Sequence, residues 1–433
     1  MRRIGNWLRL DGLWRHPDFL RLWTGETISE FGSLIGRTAL TFTAILALDA
    51  RPYQVALLLA ADIGSGLVVG PIAGVWVDRL RRRPLMIAAD LGRAALLASI
   101  PVAYAFDLLR IEQLYVVACL TGVMTMTFAV AYRSYLPSLV GREELLEGNS
   151  KLTASSAAAE VGAFGTAGWL VQALTGPVAI LVDAVSFLFS ALFIGAIKKQ
   201  ELEPAPVHER EGVVREIAEG LKTIVHDARL RALAGSEVLN HIAFAIFGTV
   251  FGLYVIRELH FQPGVLGMIY AVGGVSSFVG AMASRRVASR LGVGPAMIYG
   301  LALMGLSMLA VPLARDATLI AVGLLVAQQL FGDGSFTVYS INGMTLRQTI
   351  TPDRLQGRVN AAMEAGPHGM QLLGALAGGL LGEAIGLRGT LVVGAGVMVL
   401  AAAWLAASPV RGLRTTPVRD EPEAPVSLAP EVS

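Results

Sequence analysis

Long apolar stretches alternate with short polar segments along the whole chain. Each stretch has about 20 residues or more, which at about 1.5 Å per residue is enough to cross a hydrocarbon core of about 30 Å. There are twelve, so the pattern predicts an all-α polytopic membrane protein with twelve transmembrane helices. They cover residues 20–48, 53–77, 84–106, 112–132, 152–175, 177–197, 230–256, 263–283, 293–314, 317–344, 359–385 and 387–407.

A repeat relates the two halves of the chain. The matching pairs are His16 and His226, Arg21 and Arg231, and Gly25 and Gly235, each 210 residues apart. A parallel repeat of this kind predicts two six-helix bundles related by a pseudo-two-fold axis, with a substrate site between them near the midplane.

The segments between and after the repeats are more polar and contain several prolines. We therefore predict an N-terminal bundle at 1–197, a cytoplasmic linker with an amphipathic helix at 198–228, and a C-terminal bundle at 229–407. Residues 408–433 have five prolines and little periodicity, which favours a disordered cytoplasmic tail.

Composition and charge agree with a membrane location. Apolar residues make up 54% of the chain and charged residues 16%, and the net charge of +2 gives no reason to expect a nucleic-acid partner. Twenty-eight Lys and Arg residues fall in the segments on one side, which include both termini, and five in the loops on the other. The positive-inside rule then predicts that both termini are cytoplasmic, and we expect a bacterial inner-membrane protein.

Several kinds of chemistry have no motif in this chain. Cys119 is the only cysteine, so no internal disulfide and no cysteine metal site can form. The sequence has neither a phosphate-binding Gly-rich loop followed by Lys nor a nucleophile motif, which argues against a built-in ATPase and against an enzyme. We expect no cofactor and a proton gradient as the source of energy.

The loop after the second apolar stretch carries a specific pattern. Gly74, Asp78-Arg79 and the run Arg81 to Arg83 resemble the signature loop between helices 2 and 3 of the major facilitator superfamily, G-x-x-x-D-[RK]-x-G-[RK]-[RK], with Arg81 in place of the second glycine. A carboxylate at the end of a membrane helix is costly unless it is paired. We therefore expect Gly74, Asp78, Arg79 and Arg82 to form a latch between two moving halves.

A second pattern lies before the eleventh apolar stretch. It consists of Gln348, Pro352, Asp353, Gly357 and Arg358 and resembles a segment of the subgroup that includes bacterial enterobactin exporters and macrolide efflux proteins. This resemblance implies export of an organic solute. It does not carry a substrate identity, because one fold hosts many substrates.

The first apolar stretch contains the sharpest functional pattern. Glu26, Glu30, Ser33, Arg37 and Thr41 are spaced by three or four residues and share one face of a helix. Such a face should line water or protein rather than lipid, so we interpret it as one wall of a central cavity. Two carboxylates one turn apart repel each other in a low dielectric, which favours uptake of a proton by one of them. A static charge network is the alternative.

Other charged positions extend this pattern. Asp62 in the second stretch could face the same cavity and pair with Arg37, while Asp90 and Arg93 are one turn apart and predict a structural ion pair. In the seventh stretch His241, Phe244, Phe247 and Phe251 could form an aromatic wall opposite the acidic one. Walls of this kind would suit an amphipathic, cationic solute.

The preferred function is a monomeric secondary transporter that exports an organic solute, such as a drug, a macrolide or a siderophore-like molecule, in exchange for protons. Uptake of a metabolite or a lipid-like solute by the same fold is one alternative. A non-transporting membrane scaffold or sensor is another, although a scaffold needs no charges inside the membrane. The expected partners are the small organic substrate and the lipid bilayer.

Overall fold

The computed structural model describes residues 12–77, 80–141, 143–199, 201 and 213–415. Helices account for nearly all of the described chain, and no strand occurs within it. The helices are α1 (Pro17–Phe42), α2 (Pro52–Val77), α3 (Arg82–Ala105), α4 (Ile111–Val140), α5 (Leu145–Leu174), α6 (Gly176–Gly195), α7 (Val213–His226), α8 (Ala228–Leu253), α9 (Pro263–Leu291), α10 (Val293–Met308), α11 (Leu319–Ile350) and α12 (Gln356–Ala406).

The helices confirm the prediction of twelve spans. By length and composition, nine helical segments of the described chain could cross a membrane, and α1 and α5 are as long but more polar. The element α12 holds two spans, because it is broken at Gly386, whose φ of 78° and ψ of 168° are not helical. Glycine adopts a positive φ without a steric penalty. The first bundle is therefore α1 to α6 and the second is α8 to α12.

Several helices are longer than the apolar stretches that predicted them. The helix α4 continues to Val140, α9 continues to Leu291, and α5 begins at Leu145. A helix satisfies its backbone hydrogen bonds internally, so it does not have to end where the apolar residues end. These extensions lie on the side that also holds the start of α1, which we call the basic side.

The two bundles use equivalent glycines to pack their first and last helices. A Cβ atom on Gly25 of α1 would lie 3.3 Å from Cβ of Phe193 in α6. A Cβ atom on Gly235 of α8 would lie 2.3 Å from Nε1 of Trp404, near the end of α12. Because Gly25 and Gly235 are related by the repeat, the internal symmetry seen in the sequence is also present in the packing.

The two bundles contact each other on the side opposite the basic side. A Cβ atom on Gly379 of α12 would lie 2.4 Å from Cβ of Ala56 in α2, and one on Gly168 of α5 would lie 2.2 Å from the carbonyl oxygen of Pro263 in α9. Among the described residues, all three hydrogen bonds between the bundles also lie on this side. They run from Arg257 to Asp49, from Arg257 to the Ile45 carbonyl and from the Gly264 amide to Gln172.

The basic side is open by comparison. Gly357, Gly366 and Gly369 lie in the part of α12 nearest that side, and a Cβ atom on any of them would have no atom within 4 Å. Gly379 and Gly382 of the same helix, close to the other side, are tightly packed against α2. Among the described residues, the space between the bundles is thus closed at one end and open at the basic end.

The chain after α12 packs against the second bundle before it leaves the described region. Val410 is fully buried in a short 3-10 helix, Pro409–Gly412, and the amide of Gly294 donates a hydrogen bond of 2.9 Å to the Leu413 carbonyl. Residues 408–415 therefore differ from the disordered tail expected from residue 408. The rest of that tail, 416–433, lies outside the described residues.

Candidate functional site

Helix α1 is held against α6 by two glycines. A Cβ atom on Gly32 would lie 2.1 Å from Oγ of Ser186, and one on Gly36 would lie 2.1 Å from Oδ2 of Asp183. Because these glycines occupy the face against α6, the polar stripe of Glu26, Glu30 and Arg37 is directed to the other faces of α1.

Glu26 has one carboxylate oxygen enclosed by the protein. Its side chain is partly buried, and its Oε2 atom is enclosed without a hydrogen-bond partner in the described part of the chain. The charges of Glu30, Arg93 and Asp90 act on it, and Tyr132 of α4 lies close enough to feel both glutamates. That the α1 stripe lines a central cavity stays a prediction for Glu26.

Asp90 and Arg93 of α3 form the buried ion pair that their spacing predicts. The Asp90 side chain is inaccessible to solvent and that of Arg93 is 5% accessible. The Arg93 guanidinium also lies 3.9 Å from the ring centre of Phe187 and 4.6 Å from that of Phe128. Cation–π contacts of this kind are strongest where water is excluded.

Asp183 in α6 is a site residue that the sequence analysis missed. It is 4% exposed, and its Oδ1 accepts a hydrogen bond of 3.4 Å from the Ser33 hydroxyl. The Ser186 hydroxyl lies 3.4 Å from the same oxygen and donates its hydrogen bond of 2.8 Å to the Asp183 carbonyl. The charges of Arg93 and Arg37 act on it. Asp183 is the only charged residue of α6, which has the highest mean hydropathy among the candidate spans, and this isolation was the available signal.

The accessible end of the α1 stripe is formed by Arg37, which faces Asp62. Both side chains are exposed in the protein, and the Arg37 charge acts on the Asp62 carboxylate, although no ion pair within 4.0 Å joins these two described residues. Glu30 lies between this pair and the buried charges and is partly buried. The structure thus brings together Glu26, Glu30, Arg37 and Asp62 as a graded series from the bundle interior to accessible space.

The aromatic wall expected on α8 is largely absent from the accessible space. Phe247 and Phe251 are 7% and 4% exposed, and their rings stack on each other at 5.4 Å inside the second bundle. Phe244 packs at 4.9 Å against Phe336 of α11. These rings therefore contribute to the packing of the second bundle around α8.

Two histidines of the second bundle do meet. The rings of His241 in α8 and His368 in α12 have centres 5.5 Å apart. Each Nδ1 lies within hydrogen-bond distance of the carbonyl four residues earlier, at 2.8 Å for Glu237 and 2.6 Å for Glu364. A carbonyl can only accept, so each Nδ1 is the donor and each Nε2 is left as the acceptor when the ring is neutral.

The predicted latch is only partly within the described chain. Asp78 and Arg79 lie outside the described residues, and Gly74 belongs to the last turns of α2. The Arg82 amide donates a hydrogen bond of 2.7 Å to Glu201, and its guanidinium lies 3.8 Å from the same carboxylate. In this conformation Arg82 therefore contacts the start of the linker.

The segment that carries the second sequence pattern contacts α7, the helix of the linker. Arg358 forms an ion pair with Glu219 of α7, and a Cβ atom on Gly220 would lie 2.1 Å from the Arg358 carbonyl oxygen. Gln356 donates hydrogen bonds to Asp353 and to the Gln348 carbonyl. Pro352 precedes the 3-10 helix Asp353–Leu355, and Gly357 lies in open space at the start of α12. The pattern is an anchoring segment on the basic side, distant from the buried charges.

A helical membrane protein made of two repeated bundles, with charged side chains inside one bundle and a space open to one side between them, has the construction of a multi-pass transport protein. The family comparison is more specific. A family model described as Major Facilitator Superfamily matches residues 27–363, with a second match at 233–432. The chain belongs to this superfamily, and it is a membrane transporter and not an enzyme.

Two similar proteins are related to this chain at low identity over most of its length. The MFS-type transporter YfiS of Bacillus subtilis (strain 168) is 24% identical over 375 residues, which cover 85% of this chain and 87% of YfiS. The multidrug efflux pump Tap of Mycolicibacterium fortuitum is 27% identical over 338 residues, which cover 75% of this chain and 79% of Tap.

Solved structures show the same fold. A bacterial homologue of the iron transporter ferroportin in its inward-facing state has a TM-score of 0.69 at 19% identity, covering 89% of this chain and 98% of that one. The same homologue in its outward-facing state has a TM-score of 0.56 at 18% identity, with 90% and 98% covered. Both likenesses concern the fold.

Proposed function

We propose that this transporter exports an organic solute in exchange for protons, with Glu26 and Glu30 of α1 as the groups that take up and release the proton. The observation that carries the proposal is the Glu26 carboxylate, enclosed beside Glu30 with an oxygen that has no hydrogen-bond partner among the described residues. A charged oxygen in that position costs free energy, whereas a protonated one costs much less.

The neighbouring residues offer a route to and from this pair. Arg37 and Asp62 are exposed, the Arg37 charge acts on Asp62, and Glu30 lies along α1 between Arg37 and Glu26. A cationic solute that approaches Asp62 and Glu30 would favour their charged forms and release a proton. Competition of this kind between a cation and a proton for the same carboxylates couples the two flows.

The side on which the space between the bundles opens is relevant to the direction of transport. With the predicted topology the basic side is cytoplasmic, so the space between the bundles opens to the cytoplasm in this structure. A cytoplasmic solute can enter this space directly, as export requires. The efflux activity named for Tap supports export.

The test is uptake of a fluorescent organic cation into inside-out membrane vesicles that contain the wild type or Glu30→Gln. Vesicles of this orientation accumulate an exported solute when they are acidified inside. We expect proton-driven accumulation by the wild type, abolition by a protonophore, and at least a tenfold lower rate in Glu30→Gln and Glu26→Gln. The matched control is Glu112→Gln, an exposed carboxylate in the first turn of α4.

The outcomes separate the candidate functions. Loss of accumulation in Glu112→Gln as well would mean that the substitutions act through folding and would remove the support for α1. Proton-driven loss of preloaded solute from the same vesicles would indicate uptake by the cell, the alternative direction. Full activity of both α1 variants would exclude these carboxylates as the coupling groups.

A further inference from the structure

The second bundle has a polar cluster of its own, formed by Glu237 and His241 of α8 and His368 of α12. The side chains of Glu237 and His241 are each 27% accessible, and His368 is exposed. Nδ1 of His241 lies 3.8 Å from Oε2 of Glu237, and the two imidazole rings have centres 5.5 Å apart. The proton uptake proposed for α1 does not involve these three side chains.

The cluster lies near the closed end of the space between the bundles. A Cβ atom on Gly64 of α2 would lie 3.9 Å from Cδ1 of Leu372 in α12, so the bundles meet at Leu372. His368 comes about one helical turn earlier, towards the basic side, and a Cβ atom on Gly366 or Gly369 would have no atom within 4 Å. The cluster therefore borders a space that a solute can enter from the basic side.

Neutral groups hold the Glu237 carboxylate in place. Its Oε1 accepts a hydrogen bond of 3.1 Å from the Tyr339 hydroxyl, and its Oε2 accepts one of 3.0 Å from Nδ2 of Asn240. Tyr339 is fully buried and Asn240 is 1% exposed, so the surrounding protein fixes both donors. No Lys or Arg nitrogen lies within 4.0 Å of Glu237 in the described ranges. Because both oxygens accept from neutral donors, the negative charge of the carboxylate is oriented but not cancelled.

The two imidazoles add hydrogen-bond acceptors beside this carboxylate. With Nδ1 bonded to a backbone carbonyl, each neutral ring presents Nε2 as an acceptor. Neither Nε2 atom has a hydrogen-bond partner within the described part of the chain. The same part of the chain contains no group of three metal-ligating side chains that could hold a metal ion. A cation that donates hydrogen bonds therefore suits the cluster better than a metal ion does.

We propose that Glu237, His241 and His368 bind a protonated amine of the transported solute. An ammonium group carries a positive charge and several N–H donors, so it bonds to the carboxylate and to an imidazole Nε2 at the same time. The assignment rests on the proposed function, in which an organic cation is the cargo, and adds the chemical class of the cationic group. A primary or secondary amine fits, whereas a quaternary nitrogen has the charge but no N–H to donate.

The test is isothermal titration calorimetry of the purified full-length protein in detergent, each titration being corrected by one into detergent alone. The probes are dansylcadaverine, which ends in a primary amine, and its N-acetyl and N,N,N-trimethyl forms. At about pH 7.5 the amine is protonated and imidazoles are mostly neutral. We expect the wild type to bind the amine at least tenfold more tightly than the uncharged N-acetyl form, and at least threefold more tightly than the trimethyl form.

The variants separate the two parts of the cluster. In Glu237→Gln the preference for the amine over the N-acetyl form should fall below threefold. In His241→Phe/His368→Phe, which keeps both rings but removes their nitrogen acceptors, the preference over the trimethyl form should disappear. The matched control is Glu258→Gln, an exposed carboxylate beyond the other end of α8, which should keep both preferences. His368→Phe alone changes an exposed side chain and should lower the second preference even if Glu237→Gln does not fold.

The outcomes distinguish this site from the coupling groups of α1, because the titration contains no proton gradient. Equal affinity of the wild type for the three probes, absence of binding included, would overturn the amine site, as would unaltered preferences in Glu237→Gln and His368→Phe. Proton-driven accumulation in vesicles alongside such a result would leave the coupling role of α1 intact. A tenfold preference for the amine without proton-driven accumulation would support the amine site and count against the coupling role.

Discussion

The two bundles share a plan of packing but differ in charge at equivalent positions. Offset by 210 residues, Glu26, Glu30 and Arg37 of α1 correspond to Ser236, Asn240 and Phe247 of α8. The α1 residues belong to a network of buried and accessible charges. Of their counterparts, Phe247 is buried in the core, Ser236 hydrogen-bonds Tyr339 at 2.9 Å, and Asn240 donates a hydrogen bond of 3.0 Å to Glu237.

This difference makes the second bundle an internal control for the first. Both bundles bring their first and last helices together at an equivalent glycine, so the packing of α8 does not require the charges found in α1. Charges inside a membrane cost free energy, and the second bundle has its own at other positions, Glu237 and Asp333, so the shared fold does not by itself require charges at the positions of Glu26, Glu30 and Arg37. The charges of α1 are therefore not a requirement of the packing plan that the two bundles share.

The largest expected effect is on the free energy of unfolding, when loss of a buried charge in the first bundle is compared with loss of a buried neutral group in the second. Arg93→Gln leaves Asp90, Glu26 and Asp183 without their buried cation, and we expect a loss of about 3–5 kcal/mol in unfolding free energy. In the second bundle Ser284→Ala removes the neutral acceptor of the 2.9 Å Asn342 hydrogen bond, which should cost about 1 kcal/mol. The measurement is the midpoint of thermal unfolding in detergent.

A double variant tests the physical cause. Asp90→Asn/Arg93→Gln removes both charges of the pair, so it should recover part of the stability lost by Arg93→Gln alone. Equal losses in the single and double variants would show that packing of the Arg93 side chain between Phe128 and Phe187, and not its charge, is what stabilises the bundle.

The second effect compares two positions that the repeat relates directly. Phe247→Ala deletes a ring that is 7% exposed and stacked on Phe251, and we expect a loss of about 3–4 kcal/mol. Arg37→Ala truncates an exposed side chain, so the change in unfolding free energy should stay within about 0.5 kcal/mol. The same thermal assay measures both.

Transport should show the reverse order. Arg37→Ala alters the accessible end of the α1 series and should lower the rate of solute movement, whereas Phe247→Ala should act only through the amount of folded protein. If Phe247→Ala at equal protein amount abolished transport, the aromatic residues of α8 would contribute to the site despite their burial.

The sequence predicted the helices better than it predicted which side chains from different helices lie close together. The lengths of the apolar stretches are enough to find twelve spans, because each membrane-spanning helix must by itself be long enough to cross the bilayer. Helical spacing showed that Glu26 and Arg37 share a face, but not that the charge of Arg93 acts on Glu26, which depends on how the helices of the first bundle pack. Asp183 was missed for the same reason, since its partners Ser33 and Arg93 are distant in the chain.

The smallest expected effect concerns the acids at the starts of the two bundles, outside the membrane-spanning part. Burial alone would raise the pKa of the Asp18 carboxyl, but the amides of Lys198 and Lys199 and the Arg21 guanidinium lower it overall. Asp227 also has a lowered pKa. Its desolvation is outweighed by the amides of Leu230 and Arg229.

Both carboxylates therefore stabilise the folded protein above the ordinary aspartate pKa, and this contribution is lost as the pH falls through the lowered pKa. At pH 7 we expect Asp18→Asn to cost about 1–2 kcal/mol and Asp227→Asn about 1 kcal/mol, because Asp18 joins α1 to the end of α6 whereas Asp227 caps only its own helix. Thermal unfolding of each variant against the wild type should give a constant difference from about pH 5 to pH 8 and a smaller one below about pH 4. Equal losses for the two variants at pH 7 would mean that the bridge from α1 to α6 adds nothing beyond a local cap.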